Sequence, residues 1–357
     1  MLKKNKKIII LLLCLIIIGF IIYRLYPKYE NFYNETNTYN TVISKFDNSS
    51  GFFAGMFLRL NHYVYCKKNN INFKLDSSVW PYKSKDGWTD YFLSNDINSN
   101  TNTNTNTNTN TNTNTNTNTN TNTNTNNIKT IEGCCEHLSD YKLSDYKEFI
   151  PEFYKYNDKT KEYIANKKKE LGMENIEYGA LYIRRGDKLV NEINFIPTEK
   201  FADKLLEIYP SCKCIFLQTD DYNCFTDLEK YVKDKGLNII LKTLCPSNNF
   251  GAISNGNWKK QIEENNQNNK EYIDKIKNNL SKPITEMTPE EKYEHTMELI
   301  TSVDICINSN FCICDYKSNV ARFIKLAHKK LENVYDVNLQ DKDLFLNLIK
   351  KPVDPFF

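Results

Sequence analysis

Short apolar segments alternate with longer amphipathic segments from residue 178 onward, and this rhythm restricts the fold more than any other feature of the sequence. An apolar run of about five residues is typical of a buried strand, and apolar residues three or four positions apart are typical of a helix. Strands that alternate with helices predict an α/β fold with a doubly wound parallel sheet. The predicted strands are 178–183, 214–218, 237–241 and 304–308, and the predicted helices are 197–209, 225–235, 288–302 and 317–330.

Charged and polar residues follow three of these predicted strands, where ligands of parallel sheets bind. They are Arg184-Arg-Gly-Asp-Lys188, Thr219-Asp-Asp221, and Asn308-Ser-Asn310 with a helix start at Ser318. Adjacent arginines can hold a diphosphate because the guanidinium group is planar and permanently charged. A helix start with Ser and Asn can bind an anion through its free N–H groups. Each motif alone also fits a basic turn or a helix cap. Together they predict a pocket for a nucleotide sugar.

The same motifs resemble those of the α1,6-fucosyltransferase family. Tyr182-Ile-Arg-Arg-Gly-Asp-Lys188 is similar to the family's donor motif, which reads approximately His-Val-Arg-Arg-Thr-Asp-Lys. Thr219-Asp-Asp221 resembles its Thr-Asp-Asp, and Ser318-Asn-Val-Ala-Arg322 resembles its Ser-Gln-Val-x-Arg. Leu60-Asn-His-Tyr-Val-Tyr-Cys66 and the preceding glycines resemble its Gly-rich turn and first helix.

The resemblance implies a GT-B-like fold of two Rossmann-like domains. It also implies inverting, metal-independent transfer from GDP-fucose to a glycan or glycoprotein hydroxyl, without a further cofactor. Glu192 would be the general base, Lys188 and Arg184 would stabilise the departing GDP, and Asp187 would hold an arginine. Glu298 is the candidate acid for reading guanine. The residues implied in donor binding are Gly51, Gly55, Arg184, Arg185, Asp220, Asp221, Ser318, Asn319 and Arg322.

The N-terminal region predicts a membrane anchor. Residues 8–22 are apolar and uncharged, four lysines precede them, and residues up to 26 can extend the run through the interface. About 20 apolar residues span a bilayer, and preceding lysines favour a cytoplasmic N-terminus. A cleaved signal peptide is the alternative. We therefore expect a single-pass type II membrane protein of the Golgi or endoplasmic reticulum, with its catalytic part in the lumen.

The predicted domain organisation follows from this anchor and from two patterns later in the chain, the Thr-Asn tract and the alternating strands and helices. Thirteen Thr-Asn repeats at residues 101–126 contain no apolar residue and predict a disordered loop. This loop would interrupt an N-terminal, acceptor-side domain. The predicted parts are a cytoplasmic tail at 1–7, the anchor at 8–26, a stem at 27–48, the acceptor-side domain at 49–175, the donor domain at 176–340 and a C-terminal tail at 341–357.

The charge distribution argues against a nucleic-acid-binding protein. Of 47 basic and 44 acidic residues, six basic and one acidic lie within residues 1–30, which leaves 41 and 43 in the rest. A nearly neutral body offers no broad basic surface for a polyanion.

The eleven cysteines predict disulfide bonds or buried thiols, as suits an oxidising lumen. Their spacings, such as Cys212-x-Cys214 and Cys312-x-Cys314, do not match a zinc site.

Two other functions remain open from the sequence. Asp341-Lys-Asp343 is a D-x-D motif that would suit a metal-dependent glycosyltransferase with another donor. The Arg-Gly-Asp at residues 185–187 and the Thr-Asn tract would suit a non-catalytic, membrane-anchored glycan-binding or adhesion protein. Loss of turnover with EDTA would favour the first, and GDP binding without transfer would favour the second.

Overall fold

The computed structural model describes residues 39–97, 127–132, 136–139, 141–191, 194–251 and 282–338. The chain divides into two compact units, of which the smaller comprises residues 1–41 and 110–129. The larger unit comprises residues 42–109 and 130–357 and contains the parallel sheet and the residues that line the cleft. The predicted anchor and the Thr-Asn tract lie outside the described residues, and no described helix is both long and apolar enough to span a bilayer.

The described chain contains strands and α-helices, with four short 3₁₀ turns, in the following order. Strands β1 to β8 are Thr41–Lys45, Asn72–Asp76, Ile128–Ile131, Gly179–Ile183, Cys214–Thr219, Ile240–Thr243, Phe311–Cys314 and Val334–Asp336. Helices α1 to α8 are Phe52–Asn69, Ile150–Phe153, Asp158–Glu170, Lys188–Asn191, Thr198–Ile208, Asn223–Asp234, Pro289–Ile307 and Asn319–Ala327. The 3₁₀ turns are Gly87–Asp90, Leu143–Tyr146, Ile284–Glu286 and Leu331–Asn333.

A five-stranded parallel sheet in the order β6-β5-β4-β7-β8 positions the candidate site. Strand β4 lies in the centre, where Ile183 pairs with Thr219 of β5 and Leu181 pairs with Ile313 of β7. All five residues of β4 are buried, as an apolar strand covered on both faces requires. The chain runs outward from β4 to β6 and then returns to the other side of β4 at β7, which makes the β4/β7 junction a topological switch point. The predicted α/β class with a parallel sheet is therefore confirmed.

Apolar packing fixes helices α5 and α6 against this sheet. Phe201 and Leu205 of α5 and Leu228 of α6 share one buried cluster with Leu181 and Leu217 of the sheet. A second, three-stranded sheet has the order β2-β1-β3. The finer expectation of two Rossmann-like domains in a GT-B arrangement, with boundaries at the predicted residues, stays a prediction.

Aromatic packing holds the start of helix α1 next to helix α8. The Phe53 ring lies 4.8 Å from the Phe323 ring of α8, and the Phe52 ring lies 5.2 Å from that of Trp80. Buried aromatic rings at these spacings contribute both area burial and specific edge or face contacts. This packing presents Gly51 and the first turn of α1 to the carboxyl ends of the parallel strands.

The predicted strand at residues 304–308 is wrong, because these residues complete helix α7 and its cap. A capping box between Thr288 and Glu291, with Pro at the first position, starts this helix, and the helix continues for 19 residues to Ile307. The strand is Phe311–Cys314 instead. A short apolar run such as 304–308 fits a buried strand and a buried helix turn equally well, so its pattern alone cannot distinguish them.

The described cysteines are free thiols, so the expected disulfide bonds find no support among them. All eight are buried, and burial raises the pKa of thiols such as Cys66 and Cys245 to about 12. For these residues the alternative of buried thiols applies. The eight are Cys66, Cys212, Cys214, Cys224, Cys245, Cys306, Cys312 and Cys314, whereas Cys14, Cys134 and Cys135 lie outside the described residues.

Candidate functional site

A cleft of about 230 Å³ lies at the carboxyl ends of strands β4, β5 and β6. The first turn of α1, one face of α7 and the start of α8 complete its walls. Of the residues predicted to form the site, the lining contains Gly51, Arg184, Lys188, Asp220, Ser318 and Asn319. The tertiary structure therefore brings together residues that are more than 250 positions apart in the sequence.

Two carboxylates orient the side chain of Arg184 in this cleft. Asp187, in the same loop, accepts a hydrogen bond from Nη2 of Arg184 at 2.7 Å, and Asp220 binds Nη1. The side chain of Arg184 is 16% exposed, so it still reaches the cleft. A guanidinium group has five N–H donors, and two carboxylate contacts leave others to meet a ligand.

Asp220 also fixes the backbone of the loop that follows β4. Its Oδ1 accepts the backbone N–H of Arg185 at 2.7 Å, while its Oδ2 binds Arg184. Gly186, the next residue, has φ of 59°, a left-handed conformation that glycine adopts without a steric penalty. The loop can therefore turn sharply and return Asp187 to Arg184.

Arg185 lies beneath the loop and does not line the cleft. The residue is 2% exposed, and its Nη2 donates to the carbonyl of Ile196 at 2.6 Å. Its Nη1 donates to the carbonyl of Arg184 at 3.3 Å, and its guanidinium carbon lies 4.6 Å from the centre of the Phe195 ring. These contacts join the loop after β4 to the chain segment that precedes α5.

Ser318 connects the N-terminus of helix α8 with the central strand. Its hydroxyl accepts the backbone N–H of Val320 at 3.2 Å as the N-cap of α8. The same oxygen lies 2.8 Å from the hydroxyl oxygen of Tyr182 on β4. Burial raises the pKa of Tyr182, so the phenol stays protonated, although the nearby Arg184 charge opposes the shift. The start of α8 is thus held at the cleft, where helix N–H groups and the helix dipole favour an anion.

Four further predicted residues do not line the cleft. They contact other residues around it. Asp221 is fully buried and precedes helix α6, and its Oδ1 accepts the backbone N–H of Asn223, the first residue of that helix, at 2.9 Å. Arg322 donates through Nε to the carbonyl of Tyr316 at 3.2 Å. Gly55 is packed so closely that an added Cβ would lie 3.3 Å from the ring of Phe46. The fourth is Asp187, which contacts Arg184 as described above. Glu192, the predicted base, lies outside the described residues.

One face of helix α7 contributes cleft residues that motif analysis did not assign. His295 and Ser302 line the cleft on either side of Glu298, the acid predicted to read guanine. Burial and the charge of Glu294 raise the pKa of Glu298. His295, Glu298 and Ser302 are three and four residues apart, which places their side chains on one face of the helix. This spacing is the sequence signal that could have grouped them. Gln218, at the end of β5, also lines the cleft, and its buried Oε1 accepts no hydrogen bond from the described part of the chain.

Asp220, one of the two carboxylates that line the cleft, contacts the guanidinium group of Arg184. Within the described ranges, no three His, Cys, Asp or Glu side chains lie close enough together to hold a metal ion. The Asp341-Lys-Asp343 motif lies outside those ranges.

Comparison with known proteins finds no matching family and no matching curated protein. Among solved structures, the chain is similar to a crystal structure of the NodZ alpha-1,6-fucosyltransferase soaked with GDP-fucose. The identity is 9% and the TM-score 0.46, and the similarity covers 81% of this chain and 93% of that chain. We therefore base the function on the residues of the cleft.

Proposed function

We propose that this protein is a glycosyltransferase that binds a nucleoside diphosphate sugar in the cleft and transfers the sugar to a glycan hydroxyl. The observation that carries this proposal is the placement of Arg184, which is held by two carboxylates and shares the cleft with the N-terminus of α8. An oriented guanidinium group opposite a helix N-terminus supplies charge and N–H donors from two sides, as a diphosphate requires.

In this proposal the cations and the helix N–H groups of the cleft bind different oxygens of the diphosphate. Arg184 offers a planar fork for two phosphate oxygens, and Lys188 adds a point charge from the following turn. The hydroxyl of Ser318 accepts one helix N–H, and other N–H groups of the first turn of α8 would bind the ligand. We assign Arg185 and Asp221 to supporting positions, because both are buried and hold backbone near the cleft.

The motif resemblance makes GDP-fucose the proposed donor and inversion the proposed outcome. In this reaction the acceptor oxygen forms a bond to the anomeric carbon while the bond from that carbon to the β-phosphate oxygen breaks. The electron pair leaves with GDP, where Arg184 and Lys188 stabilise the developing charge. Glu192 takes the proton of the acceptor hydroxyl, and no metal ion takes part.

Glu298 is the proposed reader of the guanine base. It lies on helix α7 and lines the same cleft as Arg184. A carboxylate can accept two N–H donors of guanine at once, whereas uracil offers one. Binding guanine would also offset the burial that raises the pKa of this carboxyl in the free protein. The membrane anchor, the luminal location and a glycan or glycoprotein acceptor belong to the same proposal and rest on the sequence.

Nucleotide titration of the full-length protein in detergent tests the donor assignment. We expect GDP to bind at least about tenfold more tightly than UDP, a difference of about 1.4 kcal/mol. Addition of EDTA should leave the affinity for GDP and the rate of transfer unchanged. Equal affinities for GDP and UDP would exclude the guanine donor. Transfer that stops with EDTA and returns with a divalent cation would instead favour the metal-dependent enzyme.

A further inference from the structure

His295 lines the cleft but belongs to none of the sequence motifs from which the site was predicted. It lines the same cavity as Arg184, on the face of α7 that also carries Glu298 and Ser302. In the part of the chain that the structure describes, no hydrogen bond holds either ring nitrogen of His295. The other described histidines with hydrogen bonds, His62 and His328, bind backbone carbonyls or a serine hydroxyl. The imidazole of His295 is therefore available to a ligand.

The surroundings of His295 favour the neutral imidazole when no anion is present. Burial lowers its pKa, and the positive charge of Arg184 lowers the pKa further. A neutral imidazole has one N–H donor and one acceptor, whereas the imidazolium has two donors. A diphosphate bound to Arg184 would neutralise the charge that opposes protonation, and its own negative charge would favour the imidazolium.

The other charged groups near the cleft lie on several elements that pack around α7. Most of them have an ion-pair or hydrogen-bond partner within the protein. Asp220 after β5 binds Arg184, and Glu294 on α7 accepts the Tyr163 hydroxyl of α3 at 3.1 Å. The first turn of α1 contributes only uncharged residues to the lining. The charged groups that line the cleft are Arg184, Lys188, Asp220, Glu298 and Lys317, and Glu294 of α7 and Lys167 of α3 act on Glu298.

We propose that His295 is an additional diphosphate ligand that takes up one proton from solvent when the diphosphate binds. This inference rests on the proposed function, because it requires the diphosphate at Arg184. Both nitrogens of the imidazolium then donate, one of them toward a phosphate oxygen. Since the bound state holds more protons than the free state, affinity for the diphosphate rises as the pH falls through the range in which His295 titrates.

Calorimetry with GDP-fucose in buffers of different ionisation enthalpy tests the proposal on the full-length protein. Each phosphate of GDP-fucose carries one ester and one anhydride bond, so neither titrates near neutral pH, whereas the terminal phosphate of GDP titrates near pH 6. At pH 7 we expect uptake of up to about one proton per GDP-fucose bound. His295→Gln should bind GDP-fucose more weakly and without proton uptake. His137→Gln, which changes a histidine that does not line the cleft, should keep the uptake.

Titration of the histidine signals by NMR provides a second measurement that does not depend on a stable variant. One of the four histidines should titrate at a higher pH with GDP-fucose than without it. Binding of GDP-fucose with no proton uptake, or with the same uptake in His295→Gln, would overturn the proposal and leave the glycosyltransferase intact. Failure of the wild-type protein to bind GDP-fucose would overturn the proposed function and this inference together.

Discussion

The carboxylate of Asp220, which follows β5, binds the guanidinium of Arg184, which follows the neighbouring strand β4. This contact joins the carboxyl ends of two parallel strands at the cleft. Because the other oxygen of Asp220 accepts the backbone N–H of Arg185, one side chain fixes both the backbone and the cation of the loop. The arrangement of the cleft therefore depends on an acid whose negative charge would repel a phosphate by itself but is paired with the cation of Arg184.

Substitution of Asp220 should lower the free energy of unfolding in steps. Asp220→Asn keeps an acceptor for the N–H of Arg185 but loses the charged contact to Arg184, and we expect a loss of about 1–2 kcal/mol. Asp220→Ala leaves both donors without a partner and should cost about 3 kcal/mol or more. Urea unfolding of the two variants measures the difference. Equal losses would show that the backbone bond of Arg185 contributes nothing.

Substitution of Arg184 should remove most of the affinity for GDP. Arg184→Ala deletes the only guanidinium group among the described lining residues, and hydrogen bonds to charged groups predict a loss of about 10- to 100-fold. Arg184→Lys keeps the charge but not the planar fork, so its affinity should lie between those of the wild type and Arg184→Ala. Lys161→Ala, on an exposed part of α3, is the control. Calorimetry that finds the same affinity in all four proteins would place the diphosphate elsewhere.

Glu192→Gln should separate binding from transfer. The amide cannot take a proton from the acceptor hydroxyl, so the rate of transfer should fall by about 10²- to 10⁴-fold while GDP affinity stays the same. Glu199→Gln, in the first turn of α5, should retain the wild-type rate. Radiolabelled transfer assays and GDP titrations of both variants test this assignment. Full turnover in Glu192→Gln would mean that another group accepts the proton.

Removal of the Ser318 hydroxyl should affect helix α8 and the ligand together. Ser318→Ala loses the N-cap of α8, a change that costs about 1 kcal/mol, and leaves the Tyr182 hydroxyl without this partner. Tyr182→Phe removes the same contact from the other side but keeps the cap. We expect a lower melting temperature and weaker GDP binding for Ser318→Ala than for Tyr182→Phe. The reverse order would show that the phenol, rather than the cap, supports the cleft.

Alkylation of Cys245 provides a chemical probe of the cleft. Burial raises the pKa of this thiol to about 12, and only the thiolate reacts. The rate of modification should therefore be slow at pH 7 and rise about tenfold per pH unit up to pH 9. Because Cys245 lines the cleft, GDP should protect it, whereas Cys66, buried in α1, should show no protection. Peptide mass spectrometry after timed alkylation distinguishes the two thiols, and equal protection would argue against ligand contact.

Local sequence patterns determined much of the fold around the site. The apolar run of β4 and the capping box of α7 were evident in the chain, since both depend on neighbouring residues. The motifs around Arg184, Asp220 and Ser318 also placed these residues at the ends of strands or the start of a helix. The sequence misassigned 304–308, because the length of a helix is decided by tertiary packing as well as by its cap.

The sequence by itself determined which chemical groups the protein has near its strand ends, whereas the tertiary structure decided which of them face the cleft. Arg184 and Arg185 are neighbours with the same side chain, yet one lines the cavity and the other binds the carbonyl of Ile196 beneath the loop. His295 shares the cavity because a helix distant in sequence packs against the sheet. The physical reason is that periodicity and capping act over a few residues, whereas side-chain direction and burial depend on contacts between elements far apart in the chain.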